Sequence, residues 1–319
     1  MFPKSTILPE KIGDIGAYDL LLTTYSTNDR VSFIGNNLSS KVVVKLVFNE
    51  LQFHDVKENN IFSCDTIEEN IYISKLLKYL EETYSISTFE TLRIAIDLTG
   101  FVTPYLFFLL LSLYQIQKVK EIGFFYTEPI KYLDAEYTEF LQGNSESRPI
   151  KGFSMGSDML SEDALLILGT GYDRSILQRI NNQETCKKHY VFGLPSTQPD
   201  MYFQNIFNVY SVDKSIASLS NERKSYASAT DPFHNAFVLD EIVTKESSLT
   251  NVKLCPIGSK PQALGFFLYY LINHDKGTHK LNVIFPYSDI HNSDCSAGIS
   301  RVWRYQINKS IAEKINTTI

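Results

Sequence analysis

Two stretches decide how this chain is read: Asp19-Leu-Leu-Leu-Thr-Thr-Tyr-Ser-Thr-Asn-Asp29-Arg30 and Asp163-Ala-Leu-Leu-Ile-Leu-Gly-Thr-Gly-Tyr-Asp173-Arg174. Each passes from an unbroken apolar run through a polar turn to Asp-Arg at the head of a helical pattern. A short apolar run without alternation marks a strand buried on both faces, the pattern of parallel sheets covered by helices. Its appearance twice makes internal repetition the first question to settle.

Further matches follow in the same order. Cys64-Asp65-Thr66-Ile67 ahead of the helical ISKLLKYLEE is echoed by Thr230-Asp231-Pro232-Phe233 ahead of AFVLDEIV. Asp65 and Asp231 read as helix N-caps, with Pro232 in the first-turn position that proline favours. Then RIAIDLTG followed by FVTPYLFFLLLSLY parallels VKLCPIGS followed by KPQALGFFLYYLI, and Phe107-Phe108-Leu109 aligns with Phe266-Phe267-Leu268. An aromatic strand closes each half, EIGFFYTEP (121–129) and LNVIFPYSD (281–289). Shorter β-rich runs, VVVKLVF (42–48) and HYVFGL (189–194), alternate with helical stretches.

At roughly 150 residues per domain, 319 residues make two domains. The expectation is an α/β protein of two tandem Rossmann-like units with mostly parallel sheets, arranged as an internal duplication. Unit 1 is expected over residues 1–150 and unit 2 over 163–307, with a tail over 308–319 read as at most a polar helix. The stretch 133–162 lacks periodicity and reads as loop and linker.

Composition narrows the function classes. With 44% apolar and 21% charged residues the chain is globular, and a net charge of −6 argues against bulk binding to nucleic-acid backbone. Cys64, Cys186, Cys255 and Cys295 follow no disulfide or zinc spacing, so no metal or cofactor is called for and a reduced, cytoplasmic setting is expected. The N-terminus lacks the features of a signal peptide. The apolar runs 105–114 and 263–272 are about half a membrane span, so they are expected as buried helices, with no membrane partner.

Ligands of open α/β sheets bind beyond the carboxyl ends of the strands, so the strand-to-helix turns hold the site candidates. The first is Gly169-Thr170-Gly171-Tyr172-Asp173-Arg174: glycines bring backbone N–H groups close to an anion, and Arg174 is placed to hold a phosphate or carboxylate. The competing account is a tight turn in which Asp173 caps the helix and Arg174 pairs with it. Its partner in the first half is Thr24-Tyr25-Ser26 with Arg30. The second turn, Gly258-Ser259-Lys260, offers a cap and a phosphate-reaching lysine, while its counterpart Thr99-Gly100 lacks the lysine; ordinary turn chemistry competes here too. On this basis the second half is better equipped for an anion. A third cluster, Gly193 to Tyr202, contributes Ser196 and Gln198, with Asp200 as a cap in the bland account. In the fourth, Arg301 and Arg304 are expected to share a helix face beside Trp303.

Catalytic signatures are scarce. No G-x-S-x-G, HExxH or Walker A pattern is present. Glu128, Asp231 and His234 are the candidates for acid–base work on a nucleotide or its glycosidic bond.

The IDLTG-FVTPYLFFLLL and CPIGS-KPQALGFFLYY segments resemble the late strand–turn–helix signature of CARF domains, the CRISPR-associated Rossmann-fold sensors. About twenty residues in each half carry the likeness. The resemblance implies a sensor of a nucleotide second messenger such as a cyclic oligoadenylate, with two Rossmann units joined in one chain. It places family roles on Thr99, Gly100, Gly258, Ser259 and Lys260, and on the turns Thr24–Ser26 and Thr170–Tyr172. Family members usually carry a helix-turn-helix or nuclease module, and none is visible after residue 308. The expectation is therefore a cytosolic sensor of a nucleotide or phosphorylated small molecule that acts through a protein partner or effector subunit in bacterial antiviral defence. A nucleotide-cleaving enzyme of hydrolase or N-glycosidase type using the same crevice is the first alternative. A structural subunit of a multiprotein defence complex is the second.

Overall fold

The structure, a computed structural model, describes residues 4–53, 56, 58, 60–116, 119, 121–133, 141–154, 164–215, 223–246, 251–276, 279–291 and 296–308. It is an α/β protein that divides into two compact units, residues 1–133 with 290–314 and residues 134–289 with 315–319.

Unit 1 is built from β1 (Lys4–Ile7), β2 (Tyr18–Thr24), α1 (Asp29–Asn37), β3 (Ser40–Val47), β4 (Ile61–Ser63), α2 (Glu69–Tyr84), β5 (Ile94–Asp97), α3 (Thr103–Leu111), β6 (Glu121–Glu128) and β7 (Lys131–Tyr132). Unit 2 contains β8 (Leu141–Pro149), β9 (Ala164–Gly169), α4 (Arg174–Gln183), β10 (Lys187–Gly193), α5 (Pro199–Val212), β11 (Lys224–Ala227), α6 (Pro232–Lys245), β12 (Asn251–Pro256), α7 (Lys260–Asn273) and β13 (Lys280–His291), whose last residues pass into unit 1. The chain then adds β14 (Ser296–Ala297) and β15 (Arg301–Asn308) to unit 1.

The seven-stranded sheet of unit 1 runs β1-β15-β6-β5-β2-β3-β4, and the six-stranded sheet of unit 2 runs β11-β10-β9-β12-β13-β8. Strands β4, β3, β2, β5 and β6 are mutually parallel, as are β11, β10, β9, β12 and β13. Each set lies in the order third, second, first, fourth, fifth of its own chain order. The chain reverses direction across the sheet between β2 and β5 in unit 1, and between β9 and β12 in unit 2. β15 is antiparallel to β6, β1 is antiparallel to β15, and β7 pairs with β14 as a separate two-stranded ribbon.

The central helices are apolar all round, so they are buried on every side rather than along one stripe. In α3, Tyr105, Leu106, Phe107, Leu109 and Leu110 are fully buried, as are Leu264, Phe266, Phe267 and Leu268 in α7. Burying a side chain of this size contributes ~1.5–3 kcal/mol, so these two helices anchor their units. Around α3 the rings of Phe48, Tyr72 and Tyr105 pack at centroid distances of 4.7–5.2 Å. α7 crosses α6 at Gly265, where an added Cβ would lie 2.5 Å from Asn235 Cβ and from the Pro232 carbonyl oxygen.

Several expectations need correction. Unit 1 does not end the chain's involvement with it at residue 150, nor does unit 2 run unbroken over 163–307: residues 290–308 return to pair β15 with β6. The stretch expected as linker contains β8, an edge strand whose LQGNSESRP sequence carries no apolar alternation to betray it. Arg301 and Arg304 lie on strand β15 rather than a helix, and an odd spacing in a strand places them on opposite faces. Asp65 does not cap α2, which starts at Glu69 after Glu68. Likewise Gln198, not Asp200, occupies the N-cap of α5. The expected tail helix lies outside the described residues. Among the described residues no helix is long and apolar enough to cross a membrane.

Candidate functional site

The first strand-to-helix turn of unit 1 opens onto a cavity of about 310 Å³. Its walls are the strand end Thr23–Thr24, the turn Tyr25–Thr27, the α1 face carrying Ser32, Gly35 and Asn36, and the pair Lys45 and Glu58. Strand register explains the grouping: Thr23 on β2 is the Cα partner of Lys45 on β3, so the two side chains share a face of the sheet. Lys45 Nζ meets Glu58 Oε2 at 2.8 Å, and Glu58 is half exposed. Thr24 is buried to 2% exposure, and its Oγ1 has no hydrogen-bond partner among the described residues. α1 begins on an Asn28 cap whose side chain accepts from Arg30 N at 3.0 Å, while Ser26 Oγ accepts from Asn28 N at 3.0 Å.

Beside the cavity wall lies a buried carboxyl. Thr23 Oγ1 donates to Asp97 Oδ2 at 3.2 Å, and the Thr99 amide donates to Asp97 Oδ1 at 3.0 Å. Complete burial pushes Asp97 up to about 6, against these hydrogen bonds and the Arg30 charge, which pull the other way. Thr99 Oγ1 accepts from Thr127 N at 3.0 Å, and Arg30 Nη1 donates to the Thr127 carbonyl at 2.8 Å. The Thr99–Gly100 turn packs directly on β2 and α1: an added Cβ at Gly100 would lie 2.5 Å from Val31 Cγ1 and 2.8 Å from Thr24 Cβ.

At the end of β6, Glu128 is buried and held from two sides. Trp303 Nε1 donates to its Oε2 at 2.5 Å, and Arg301 Nε lies 3.6 Å from its Oε1. Arg301 is the register partner of Glu128, while Arg304 Nη2 donates to the Tyr18 hydroxyl at 3.1 Å.

The glycine turns of unit 2 are spent on packing. An added Cβ at Gly171 would lie 2.2 Å from the Ile257 carbonyl oxygen, so this turn rests on the backbone of the β12–α7 turn. At Gly258 the same atom would collide with Gln262 Oε1, and at Gly169 it would meet the Phe266 ring at 2.9 Å. Thr170 Oγ1 donates to the Val191 carbonyl at 3.0 Å, as does Gln262 Nε2 at 3.2 Å. The carbonyls of Thr170 and Tyr172 accept from the buried side chains of Asn205 and Asn208 at 3.1 and 2.8 Å. Ser259 caps α7 by accepting from Gln262 N at 3.2 Å, and its hydroxyl donates to the Ala229 carbonyl.

Asp173 caps α4, accepting from Ile176 N at 3.1 Å and from Ser175 Oγ at 2.7 Å. Arg174 is exposed and Lys260 half-buried, each as the first residue of its helix. Ser196 Oγ donates to the Gln198 carbonyl, and the Tyr172 hydroxyl lies 3.5 Å from Thr197 Oγ1. Asp231 caps α6 by accepting from Phe233 N and His234 N, each at 3.1 Å, and His234 Nδ1 accepts from Ser228 N at 3.3 Å.

The structure thus brings Thr24, Tyr25 and Ser26 together on one cavity wall, with Arg30, Thr99 and Gly100 in the hydrogen-bonded packing beside it. The acid–base candidates do not gather within one unit: Glu128 belongs to unit 1, Asp231 and His234 to unit 2. Lys45, Glu58, Ser32, Gly35 and Asn36 escaped the sequence reading. Lys45 left a signal, being the one charged residue inside VVVKLVF. Among the described residues no group of three His, Cys, Asp or Glu side chains is placed to hold a metal ion. No protein-family model matches the chain, and no curated protein matches it significantly.

Proposed function

We propose that this protein binds a nucleotide or another phosphorylated small molecule in the cavity of unit 1 and passes that event to a protein partner in the cytosol. The observation carrying this reading is the 310 Å³ cavity at the carboxyl end of β2, walled by hydroxyls, an amide and the Lys45–Glu58 ion pair. Ligand sites of open α/β sheets lie beyond the strand ends, near the point where strand order reverses, and β2 flanks that point in unit 1. Two tandem Rossmann-like units arising by internal duplication are the matching account of the fold. The shared strand order and the paired turns in the sequence support it. The CARF-like signature adds the sensor role, a place in an antiviral defence complex, and the nucleotide class of ligand.

Isothermal titration of the full chain against mono-, di- and cyclic nucleotides is the test. Lys45→Met should weaken binding about tenfold or more, the loss of a charge-assisted contact, whereas Arg174→Ala and Lys260→Ala should stay within about threefold of the parent. The reverse pattern would move the site to unit 2. An absence of binding across the panel sinks the reading.

A further inference from the structure

We infer that the cavity takes a pentose phosphate, free or as the sugar-phosphate end of a ribonucleotide, with Glu58 receiving the sugar's vicinal hydroxyls and Lys45 the phosphate. The inference rests on the binding role proposed above and narrows it. Beside the one aromatic ring, Tyr25, the wall is formed by hydroxyl-bearing residues, Asn36, Gly35 and one charge of each sign, so a hydroxyl-rich ligand can replace water hydrogen bond for hydrogen bond. A volume of 310 Å³ lies at the small end of the ~300–1,000 Å³ range of ligand pockets, room for a sugar phosphate or a mononucleotide.

The two charges set the ligand's polarity. Lys45 and Glu58 lie on the same wall, 2.8 Å apart. A lone cation would meet the ammonium, and a lone anion would meet the carboxylate. A molecule with hydroxyl donors at one end and an anion at the other satisfies both, through charge-assisted hydrogen bonds. With Glu58 at 47% exposure the pair is a solvated one, and separating it to admit the ligand costs little.

Titration calorimetry of the full chain with ribose 5-phosphate, 2-deoxyribose 5-phosphate, AMP and CMP decides the matter. Ribose 5-phosphate should bind within about threefold of AMP, AMP and CMP should match within about threefold, and the deoxy sugar should bind about tenfold more weakly. Glu58→Gln, at a half-exposed position where the fold tolerates the change, should shrink the ribose-over-deoxyribose preference to within about twofold. Lys45→Met should weaken binding of all four about tenfold or more. Equal affinity for the two sugar phosphates, or an unchanged preference in Glu58→Gln, overturns the inference. So does tight AMP binding with ribose 5-phosphate silent, an outcome that leaves the nucleotide-binding role standing. Silence of all four probes overturns the inference, and the nucleotide-binding role then stands or falls on the wider nucleotide panel.

Discussion

Units 1 and 2 lay out their parallel strands in the same order yet treat the first strand-to-helix turn in opposite ways. In unit 2 the turn is Gly-Thr-Gly-Tyr, and its backbone sits against the Ile257 carbonyl, where only glycine fits. In unit 1 it is Thr-Tyr-Ser-Thr, free of glycine, and it lines an open cavity with its hydroxyls. The glycines of the unit 2 loop are thus committed to close packing. Glycines permit close approach of anything, and in unit 2 what approaches is the neighbouring turn.

The comparison can be broken most forcefully at the ion pairs. Lys253 Nζ meets Glu184 Oε2 at 2.7 Å with the lysine 6% exposed, whereas the Lys45–Glu58 pair is partly solvated. Lys253→Met strands the mostly buried Glu184 carboxylate, 15% exposed, and should cost about 2–4 kcal/mol in urea denaturation, while Lys45→Met should cost under about 1 kcal/mol. Similar losses from the two changes would show that unit 1's pair is structural rather than available to a ligand.

The glycines come next. Gly171→Ala drives a Cβ onto a backbone carbonyl and should cost about 3 kcal/mol, the upper range of overpacking; Gly100→Ala meets Val31 Cγ1 and Thr24 Cβ, side-chain atoms of two buried residues, and should cost about 2 kcal/mol. Midpoints from chemical denaturation followed by circular dichroism report both. An inverted ranking would mean the unit 2 turn has room after all.

The smallest and most informative effect is in pH. Burial raises Asp97 from 3.8 to about 6, so between about pH 4 and 6 the native state holds the extra proton and unit 1 loses stability as pH rises. Burial lowers His189 from 6.5 to about 4, so over nearly the same window the unfolded state holds the extra proton and unit 2 gains stability as pH rises. Where the two units unfold in one transition, the opposed slopes offset each other in the parent protein. Asp97→Asn should expose a rise of about 2 kcal/mol from pH 4 to 6.5, and His189→Gln a fall of similar size. Urea denaturation across that range checks the signs, and parent-like profiles in both variants would refute the assignment.

Much of the local structure was legible. The caps Asp173, Asp231 and Ser259 stand where a short polar side chain precedes an apolar helical pattern, and each accepts from the first-turn amides as that pattern requires. The all-apolar runs became α3 and α7, buried as their lack of a polar face demands. Three of the cavity residues, Thr24, Tyr25 and Ser26, were legible because they follow a buried strand. Lys45 and Glu58 were not, since they come from β3 and the connection beyond it and meet the turn only when the sheet forms. β15 was misread because a chain segment does not state its partner: Trp303 reaches Glu128 across 175 positions of sequence.

The amino-acid sequence by itself determined the α/β class, the two-fold recurrence of strand, turn and apolar helix, and the helix starts, because each depends on periodicity and on side chains bonding to their own neighbouring backbone. The tertiary structure alone decided which turn is open and which is filled. That outcome depends on what packs against each turn. In unit 2 it is the Ile257 carbonyl. In unit 1, β3 brings a lysine to a wall of hydroxyls and leaves space beside it.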